Sequence, residues 1–362
     1  MANFPSMARR GIAAAGVAVA LLIAGPAAAE AVTPNPFYGV VATHYPSQGE
    51  LDRLAAAGAG TFRAQLDWRF IEPRPGLRNW YSTDVLVAQC AKAGVTFLPD
   101  LLDVPKWMSH DRSRPPTYSA FQRNEWRTLL TDYARRYGTN GTFWTEHPEF
   151  PKRPITTWEI WNEPNLGASI GGKSNPRRFV TLLKISSVAL KAGDPNARVL
   201  TGGLFPYHTL RNTARMTSYL RAMYRVPGAA HSFDILGIHP YAIQPKGVLH
   251  WIRVARRIMS QNGDGAKPIY ASAFGWITGG YGSRYSPLLT TPRQQAANLT
   301  KTYNLLGRNA SNLGLESALW FTYTDNARKG RDSFLDRAGL FRLNGRRRPS
   351  WPAFARVAGG TP

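Results

Sequence analysis

Residues 84–101 read DVLVAQCAKAGVTFLPDL and contain the kind of unit from which the fold is predicted. An apolar helical pattern runs to Ala93, Gly94 ends it, and an apolar run follows from Thr96 to Leu101. A glycine directly after a helical pattern is a frequent helix terminator, because it adopts the left-handed conformation without strain. The stretch therefore predicts a helix, a tight turn and a buried strand.

The same alternation of short apolar runs and longer helical patterns recurs about eight times. Strands are predicted at residues 37–41, 61–65, 96–101, 157–161, 198–201, 233–238, 268–271 and 318–321. The helical patterns between them include residues 50–57, 84–93, 123–137, 177–192, 248–261 and 293–308. Eight such units without a long hydrophilic linker predict an α/β fold, a single (β/α)8 TIM barrel. The alternative is a doubly wound sheet, but no phosphate-binding glycine loop follows the first strand.

The composition is that of a folded protein with a large core. The chain has 362 residues, of which 43% are hydrophobic and 12% aromatic, and this content argues against an intrinsically disordered chain. The single cysteine, Cys90, excludes an internal disulfide framework and a zinc site of several thiolates, and its apolar surroundings predict a buried helix position. The seven histidines are dispersed, with no pair at metal-binding helix spacing. We therefore expect no metal ion and no cofactor.

The N-terminus has the features of an export signal. Two adjacent arginines precede an apolar run at residues 11–24, and the small-residue stretch 27–29 follows. This order is typical of a secretory signal peptide. We predict a signal peptide at residues 1–31 and one catalytic domain at residues 32–362, secreted and without stable membrane insertion after cleavage. An uncleaved N-terminal anchor is the alternative.

Polar residues interrupt the apolar runs at the predicted C-terminal ends of several strands. Arg63 lies near the end of strand 2, Asn162 and Glu163 follow strand 4, and His239 follows strand 6. Catalytic residues of (β/α)8 barrels lie at this end of the strands. A glutamate beside an asparagine amide suits a carboxylic acid that donates and recovers a proton near a sugar hydroxyl. Each residue alone has a structural alternative, such as a helix cap or a core histidine, but their common position favours a site.

These residues carry a resemblance to a known group of enzymes. The segment 161–165, Trp-Asn-Glu-Pro-Asn, resembles the signature of clan A retaining glycoside hydrolases, nearest to family 39 and family 5 β-glycosidases. The resemblance implies that Glu163 is the acid/base and that Asn162 contacts the sugar 2-hydroxyl. It also implies that Arg63 lies under the nucleophile and that Trp107 helps to shape the cleft.

The resemblance continues along the second half of the chain. His239 and Tyr241 resemble the pair that orients the nucleophile, and Trp320 stands where the family has a tryptophan platform under the sugar. Phe274-Gly275-Trp276 resembles the segment that ends strand 7 and adds Trp276 to the expected substrate-binding residues. The implied activity is hydrolysis of β-glycosidic bonds in an oligo- or polysaccharide with retention of configuration.

One position departs from this pattern. Where the family has its nucleophilic glutamate, directly before the Phe-Gly-Trp segment, this chain has Ala273. Retaining hydrolysis needs two carboxyl groups about 5–5.5 Å apart, one to attack and one to protonate. Ser272 is one residue away, and strand alternation predicts that its side chain points to the opposite face. The resemblance therefore implies a glycosidase in a nucleophile-less, hydrolytically inactive form.

Two explanations of this alanine remain open. A deliberate Glu→Ala substitution would trap a substrate complex, whereas a natural loss would leave a secreted pseudoenzyme that binds carbohydrate. The intact remainder of the site favours the first explanation. Three carboxylates are weaker candidates to replace the missing one: Glu159 is expected deeper in the barrel, Glu316 at the wrong end of strand 8, and Asp325 on the loop after it.

The positive charge supports a competing class of function. The chain has 45 Lys+Arg against 22 Asp+Glu, a formal net charge of +23, and the run 346–348 consists of three arginines. A basic secreted protein that binds anionic envelope polymers is therefore an alternative, and a solvated basic surface is the structural explanation. No nucleic-acid-binding motif is present. We expect a carbohydrate partner, including an anionic glycan, and no nucleic acid; the oligomeric state is not predicted.

Overall fold

The computed structural model describes residues 32–207, 212–279, 287–326 and 337–362. The proposed signal peptide at residues 1–31 lies outside the described residues, and the domain bounds stay a prediction. No helix in these four ranges is long and apolar enough to cross a membrane.

Eight parallel strands form a nearly closed barrel. They are β1 (Asn35–Val41), β2 (Ala59–Asp67), β3 (Thr96–Leu102), β4 (Thr157–Ile160), β5 (Arg198–Thr201), β6 (Leu236–Ile238), β7 (Ile269–Phe274) and β8 (Leu315–Phe321). The sheet order is β5-β4-β3-β2-β1-β8-β7-β6. Parallel bridges of Leu200 with Ile235 and of Leu204 with Ile238 bring β5 beside β6. The predicted (β/α)8 barrel is confirmed, and the doubly wound alternative is excluded because its sheet would remain open.

Helices surround the barrel. In the described residues they are α1 (Gln48–Ala56), α2 (Trp68–Ile71), α3 (Tyr81–Ala93), α4 (Ala120–Tyr137), α5 (Thr142–Glu146), α6 (Pro176–Gly193), α7 (Met216–Tyr224), α8 (Pro245–Gln261), α9 (Pro292–Leu313) and α10 (Ser350–Ala358). The predicted terminator Gly94 ends α3 with a φ of 71°. Ser119 and Asn175 begin α4 and α6, because each side chain accepts a backbone N–H of the first helical turn.

Packing against α4 sets the orientation of β4, the strand that carries the Asn-Glu motif. The ring of Trp158 lies 5.9 Å from that of Tyr133 on α4, so Trp158 fills the space between barrel and helices. Neighbouring residues of a strand face opposite sides. Glu159 therefore points into the barrel, where it is fully buried.

Several strand bounds differ from the prediction. β4 ends at Ile160, because Trp161 leaves the extended conformation with a φ of 68°. β7 runs to Phe274, so Ala273 lies within the strand. β6 is only three residues long, and helix α7 before it was absent from the helical patterns named above. Cys90 is buried in α3 as predicted, and burial raises the pKa of its thiol.

Candidate active site

A cavity of about 840 Å³ opens at the C-terminal ends of the strands. Six of the nine residues expected in the site line it: Arg63, Asn162, Glu163, His239, Tyr241 and Ala273. They come from β2, β7 and the segments that follow β4 and β6. The topology of the barrel thus gathers residues that are up to 210 positions apart, from Arg63 to Ala273, into one place.

The backbone around the Asn-Glu motif has an unusual conformation. Trp161 and Glu163 both have positive φ angles, 68° and 45°, which residues other than glycine seldom adopt. The surroundings hold this turn, since the Trp161 indole donates a hydrogen bond of 2.7 Å to the Ser169 carbonyl. Asn165, fully buried, donates to the carbonyls of Phe205 and Ala214 at 2.8 Å each. Strained backbone that is held in this way is frequent at functional sites.

Glu163 is the accessible carboxyl group of this motif. Its side chain is 20% exposed, and Oε1 lies 2.9 Å from Nδ1 of the buried His239. A hydrogen bond at this distance requires a proton on one of the two groups, so the pair can hold and pass one proton. Gly203 makes room for the imidazole, because a Cβ at this glycine would stand 2.1 Å from the ring.

This contact gives His239 a partner that the sequence did not predict. The resemblance pairs His239 and Tyr241 with the nucleophile, whose position is occupied by Ala273 in this chain, and the hydrogen bond observed joins His239 to Glu163, the residue expected as acid/base. Tyr241 lies beside the imidazole, with ring centroids 6.3 Å apart, and also lines the cavity. The pairing of His239 and Tyr241 with a nucleophile stays a prediction, because position 273 has no carboxyl group.

Arg63 is the centre of a buried ionic network below the cavity. Its guanidinium donates to Glu159 at 2.5 Å, to Asp100 at 2.8 Å and to Oδ1 of Asn162 at 3.1 Å. Since the Asn162 oxygen accepts from Arg63, its amide NH₂ is the part of the side chain that can donate to a ligand. The network fixes the side chain expected to contact the sugar 2-hydroxyl.

Asp100 is the least satisfied member of this network. It is fully buried, and its Oδ1 has no hydrogen-bond partner among the residues described. Burial raises the pKa of Asp100 to about 8, although the Arg63 guanidinium opposes this shift; the negative charge of Glu159 adds to it. Asp100 thus enters the neutral pH range protonated, and the charge of Arg63 is balanced by Glu159.

We expect Asp100→Asn to remove a pH-dependent loss of stability. Folded Asp100 keeps its proton up to about pH 8, whereas an unfolded aspartate loses it near about pH 4. Between these values the folded state binds more protons, so the free energy of unfolding falls as pH rises, by at most about 1.4 kcal/mol per pH unit from this group. Urea unfolding at pH 5, 7 and 9 measures the difference, with the exposed Asp52→Asn as control. Parallel curves for Asp100→Asn and the unsubstituted protein would contradict the assignment.

Ala273 lines the cavity wall, but Ser272 does not point away from the barrel as predicted. The Ser272 hydroxyl donates to Oε1 of Glu159 at 3.1 Å, inside the barrel. The pairing of β7 with β8 shifts between Ala271 and Phe274, and this irregularity breaks the simple alternation on which the prediction rested. Ser272 is therefore engaged by the buried network, and the wall beside it carries only a methyl group.

The three carboxylates weighed as substitutes are all engaged elsewhere. Glu159 binds Arg63 and also accepts from the Gly203 N–H, with no exposed surface. Glu316 pairs with Arg198 at 2.9 Å at the start of β8 and β5, the end of the barrel away from the cavity. Asp325 binds the Arg348 guanidinium and the Gly339 N–H. Each contact gives the carboxylate a structural partner.

The three expected tryptophans do not line the cavity. Trp320 is fully buried, with its ring 5.9 Å from Phe274 and 6.1 Å from Trp276. The Trp276 indole donates to the Ile243 carbonyl. Trp107 donates to the Glu72 carbonyl and packs against Trp68.

The aromatic residue of β8 that lines the cavity is therefore not Trp320, where the sugar platform was predicted, but its neighbour. Phe321, the next residue of β8, lines the cavity. Successive side chains of a strand point to opposite faces, so a one-residue difference moves an aromatic ring from the cavity to the layer outside the barrel. The sequence shows two adjacent aromatic residues, Trp320 and Phe321, at the end of β8. Which of the two rings faces the cavity is decided by the register of the strand.

Further polar residues line the cavity and were missed in the sequence. They include Gln65 on β2 and, from the segment after β3, Asp103, Asp111 and Arg112. Arg112 binds Asp103 at 3.1 Å, and burial raises the pKa of Asp103. The three positions after β3 follow from the path of a loop, for which the sequence contains no periodic signal. Within the described ranges, no three His, Cys, Asp or Glu side chains are grouped as metal ligands.

Comparison with known proteins identifies the fold. No family model and no curated protein matches the chain. Among solved structures, a family 39 glycoside hydrolase from Bacteroides cellulosilyticus WH2 is similar at a TM-score of 0.65 and 20% identity, over 90% of this chain and 64% of that one. A monomeric β-xylosidase from Caulobacter crescentus CB15 has a TM-score of 0.64 and 17% identity, over 90% of this chain and 69% of that one. A GH5_18 variant from Bifidobacterium longum, in complex with Manβ1-4GlcNAc, has a TM-score of 0.62 and 14% identity, over 86% of this chain and 72% of that one.

These neighbours confirm the predicted resemblance to clan A glycoside hydrolases at the level of the fold. Identities of this size show the fold alone, so they assign no activity. The chain spans 64% of the length of the Bacteroides enzyme and 59% of an exo-β-1,4-mannosidase from Opitutaceae that is also similar.

Proposed function

We propose that the chain recognises β-linked carbohydrate with the site of a retaining glycosidase and, as its sequence stands, does not hydrolyse it. In this proposal Glu163 is the acid/base and Asn162 binds the sugar 2-hydroxyl. Arg63 holds Asn162 from below, and the Phe321 ring offers the sugar an apolar face. The glycosidase fold of the neighbours supports a carbohydrate ligand.

One observation carries this proposal: a carboxyl group hydrogen-bonded to a histidine and a position without its expected carboxyl group lie in a single cavity. Glu163 after β4 is bound to His239, and Ala273 on β7 lies three strands away around the barrel and lines the same cavity. A retaining site needs carboxyl groups on two sides of the anomeric carbon. In this proposal Glu163 supplies one of the two, and the other position, Ala273, holds a methyl group.

The charge of the chain and its N-terminal segment extend the proposal. The N-terminal segment supports export, and we propose that the protein acts outside the cell. The full chain has a net charge of +23, and electrostatic attraction raises the local concentration of anionic polymers, so we propose an anionic glycan among its ligands.

A small anion supplied in solution is expected to replace the missing nucleophile. Azide or formate that enters beside Ala273 attacks the anomeric carbon of an activated aryl β-glycoside, the bond to the leaving oxygen breaks, and Glu163 protonates that oxygen where needed. A single displacement inverts the configuration, so the product is an α-glycosyl azide or formate. Mass spectrometry and NMR of the products measure this for a panel of aryl β-glycosides.

A matched variant separates this reaction from solution chemistry. Ala273→Leu fills the space beside the wall with methyl groups and is expected to give no azide adduct. If no glycoside of the panel yields an adduct with the unsubstituted protein, or if the product keeps the β configuration, the proposed site is wrong.

A further inference from the structure

We infer that a second depression, next to the cavity, binds a sulfate or phosphate ester group carried by the glycan; this inference rests on the proposed function. The depression has a volume of about 430 Å³ and lies between α1 and residues 341–347. Three arginines line it, Arg53, Arg342 and Arg347, together with Tyr323 and Thr324.

Arg53 is held in the wall of this depression by two neighbours. Its Nε donates to the Tyr323 hydroxyl at 3.3 Å, and its guanidinium carbon lies 5.9 Å from the centroid of the Phe341 ring. A guanidinium held in place before a ligand arrives loses less conformational freedom on binding. In the part of the chain that the structure describes, the two terminal NH₂ groups of Arg53 make no hydrogen bond, so they can donate to a ligand.

The other two arginines lie on a tight hairpin. Phe341 and Arg347 form an antiparallel bridge, and the Arg342 N–H donates to the Arg346 carbonyl at 2.9 Å. Gly345 takes the left-handed conformation at the turn, with a φ of 74°. The hairpin therefore fixes where Arg342 and Arg347 leave the backbone.

Two of the three arginines in this depression have no carboxylate partner among the described residues. In the four described ranges, neither Arg53 nor Arg342 forms an ion pair, whereas Arg347 donates to the Pro362 oxygen at 3.4 Å and the nearby Arg348 binds Asp325. Among the described residues that line the depression, Glu50 is the acidic one, and it accepts from the Ser47 N–H and hydroxyl at the start of α1. Guanidinium groups gathered without counter-charge repel one another and suit an oxyanion, to which each can donate charge-assisted hydrogen bonds.

The depression and the cavity lie on two sides of one segment. Phe321 and Asn326 line the cavity, whereas Tyr323 and Thr324, between them in sequence, line the depression. Phe321 and Tyr323 are two residues apart, so their Cα atoms are at most about 7.6 Å apart. A glycan that passes over this segment can keep one sugar at Glu163 and bring an ester group of a later sugar to the arginines.

This arrangement makes a specific prediction about ligand preference. The protein is expected to bind sulfated cellohexaose or xylohexaose at least tenfold more tightly than the unsulfated sugar in 50 mM NaCl, by titration calorimetry. Arg342→Ala with Arg347→Ala removes this preference and leaves binding of the unsulfated sugar within twofold. It also reduces the magnitude of the slope of log association constant against log salt concentration, by about one for each arginine that no longer binds the ester group.

A second pair of substitutions controls for net charge. Arg346→Ala with Arg356→Ala removes the same two positive charges from exposed positions outside the depression, and both pairs lower the net charge to 23 − 2 = +21. The control pair is expected to change binding of the sulfated sugar less than twofold. Equal weakening by both pairs, or equal affinity of the unsubstituted protein for the sulfated and unsulfated sugars, would overturn the inference.

The remaining outcomes separate the ester site from its alternatives. A duplex oligonucleotide that binds more tightly than the sulfated sugar, and that loses affinity with Arg342→Ala and Arg347→Ala, would overturn the glycan assignment in favour of nucleic acid. If the unsulfated sugars do not bind while the sulfated ones bind through Arg342 and Arg347, the proposed cavity function fails and the oxyanion site stands.

Discussion

Ala273→Glu is expected to raise the turnover of aryl β-glycosides by about four to six orders of magnitude. Loss of a covalent nucleophile, or of its partner base, costs other enzymes on the order of 10⁴ to 10⁶ in kcat, and restoring one should regain a similar factor. Ala273 lines a cavity of about 840 Å³, which leaves room for the longer side chain. The measurement is kcat for a panel of nitrophenyl β-glycosides, starting with the glucoside, xyloside and mannoside.

Two variants show whether the gain comes from the intended chemistry. Ala273→Gln has nearly the same size as Ala273→Glu but no attacking oxygen anion, and we expect no gain from it. Glu163→Gln introduced into the Ala273→Glu protein removes the proton donor and should abolish most of the gain for substrates with poor leaving groups. No turnover by Ala273→Glu on any glycoside of the panel would refute the assignment of Ala273 to the nucleophile position.

Arg63→Met is expected to destabilise the fold by about 3–5 kcal/mol. The substitution keeps most of the side-chain volume but removes the cation between Glu159 and Asp100, both fully buried. Breaking a buried ion pair is costly because the remaining charge has no compensation. The free energy of unfolding in urea at pH 7 measures the loss, and sugar binding should fall too, since Asn162 loses its support.

An ion pair whose guanidinium is exposed provides the control. Arg112 binds Asp103 with 56% of its side chain exposed, and Arg112→Met is expected to cost less than about 1 kcal/mol. Adding Glu159→Gln to Arg63→Met should recover part of the stability, because it removes the unpaired charge. A loss below about 1 kcal/mol for Arg63→Met alone would show that the network does not hold the barrel together.

The barrel and the inner part of the site could be predicted because both follow from regular patterns. Units such as residues 84–101 repeat the same helix, turn and strand, and parallel strands bring their C-terminal ends together. Glu163 and His239 follow such ends, and Arg63 lies inside β2 with its side chain below the cavity, so their meeting follows from the topology. To predict that these residues meet, it is enough to locate the strands approximately.

The rest depended on features that no periodic pattern records. Ser272 faces the barrel interior because the pairing of β7 shifts, and Phe321 rather than Trp320 faces the cavity because of the register of β8. His239 meets Glu163 only because Gly203 leaves space for its ring. Arg112 reaches the cavity along a loop. These contacts depend on one-residue shifts in strand register, on a glycine that leaves room for a neighbouring ring, and on the paths of loops. Tertiary packing determines all three.

We propose that position 273 is where the attacking carboxylate of a retaining glycosidase would stand in this cavity. An activated 2-deoxy-2-fluoro β-glycoside slows the release of a glycosyl-enzyme, so the Ala273→Glu protein should accumulate it as a covalent adduct. Peptide mass mapping after digestion should find the added sugar on the peptide that contains position 273, and on none from the unsubstituted protein or Ala273→Gln. An adduct on any other carboxylate, Glu163 included, would contradict the claim.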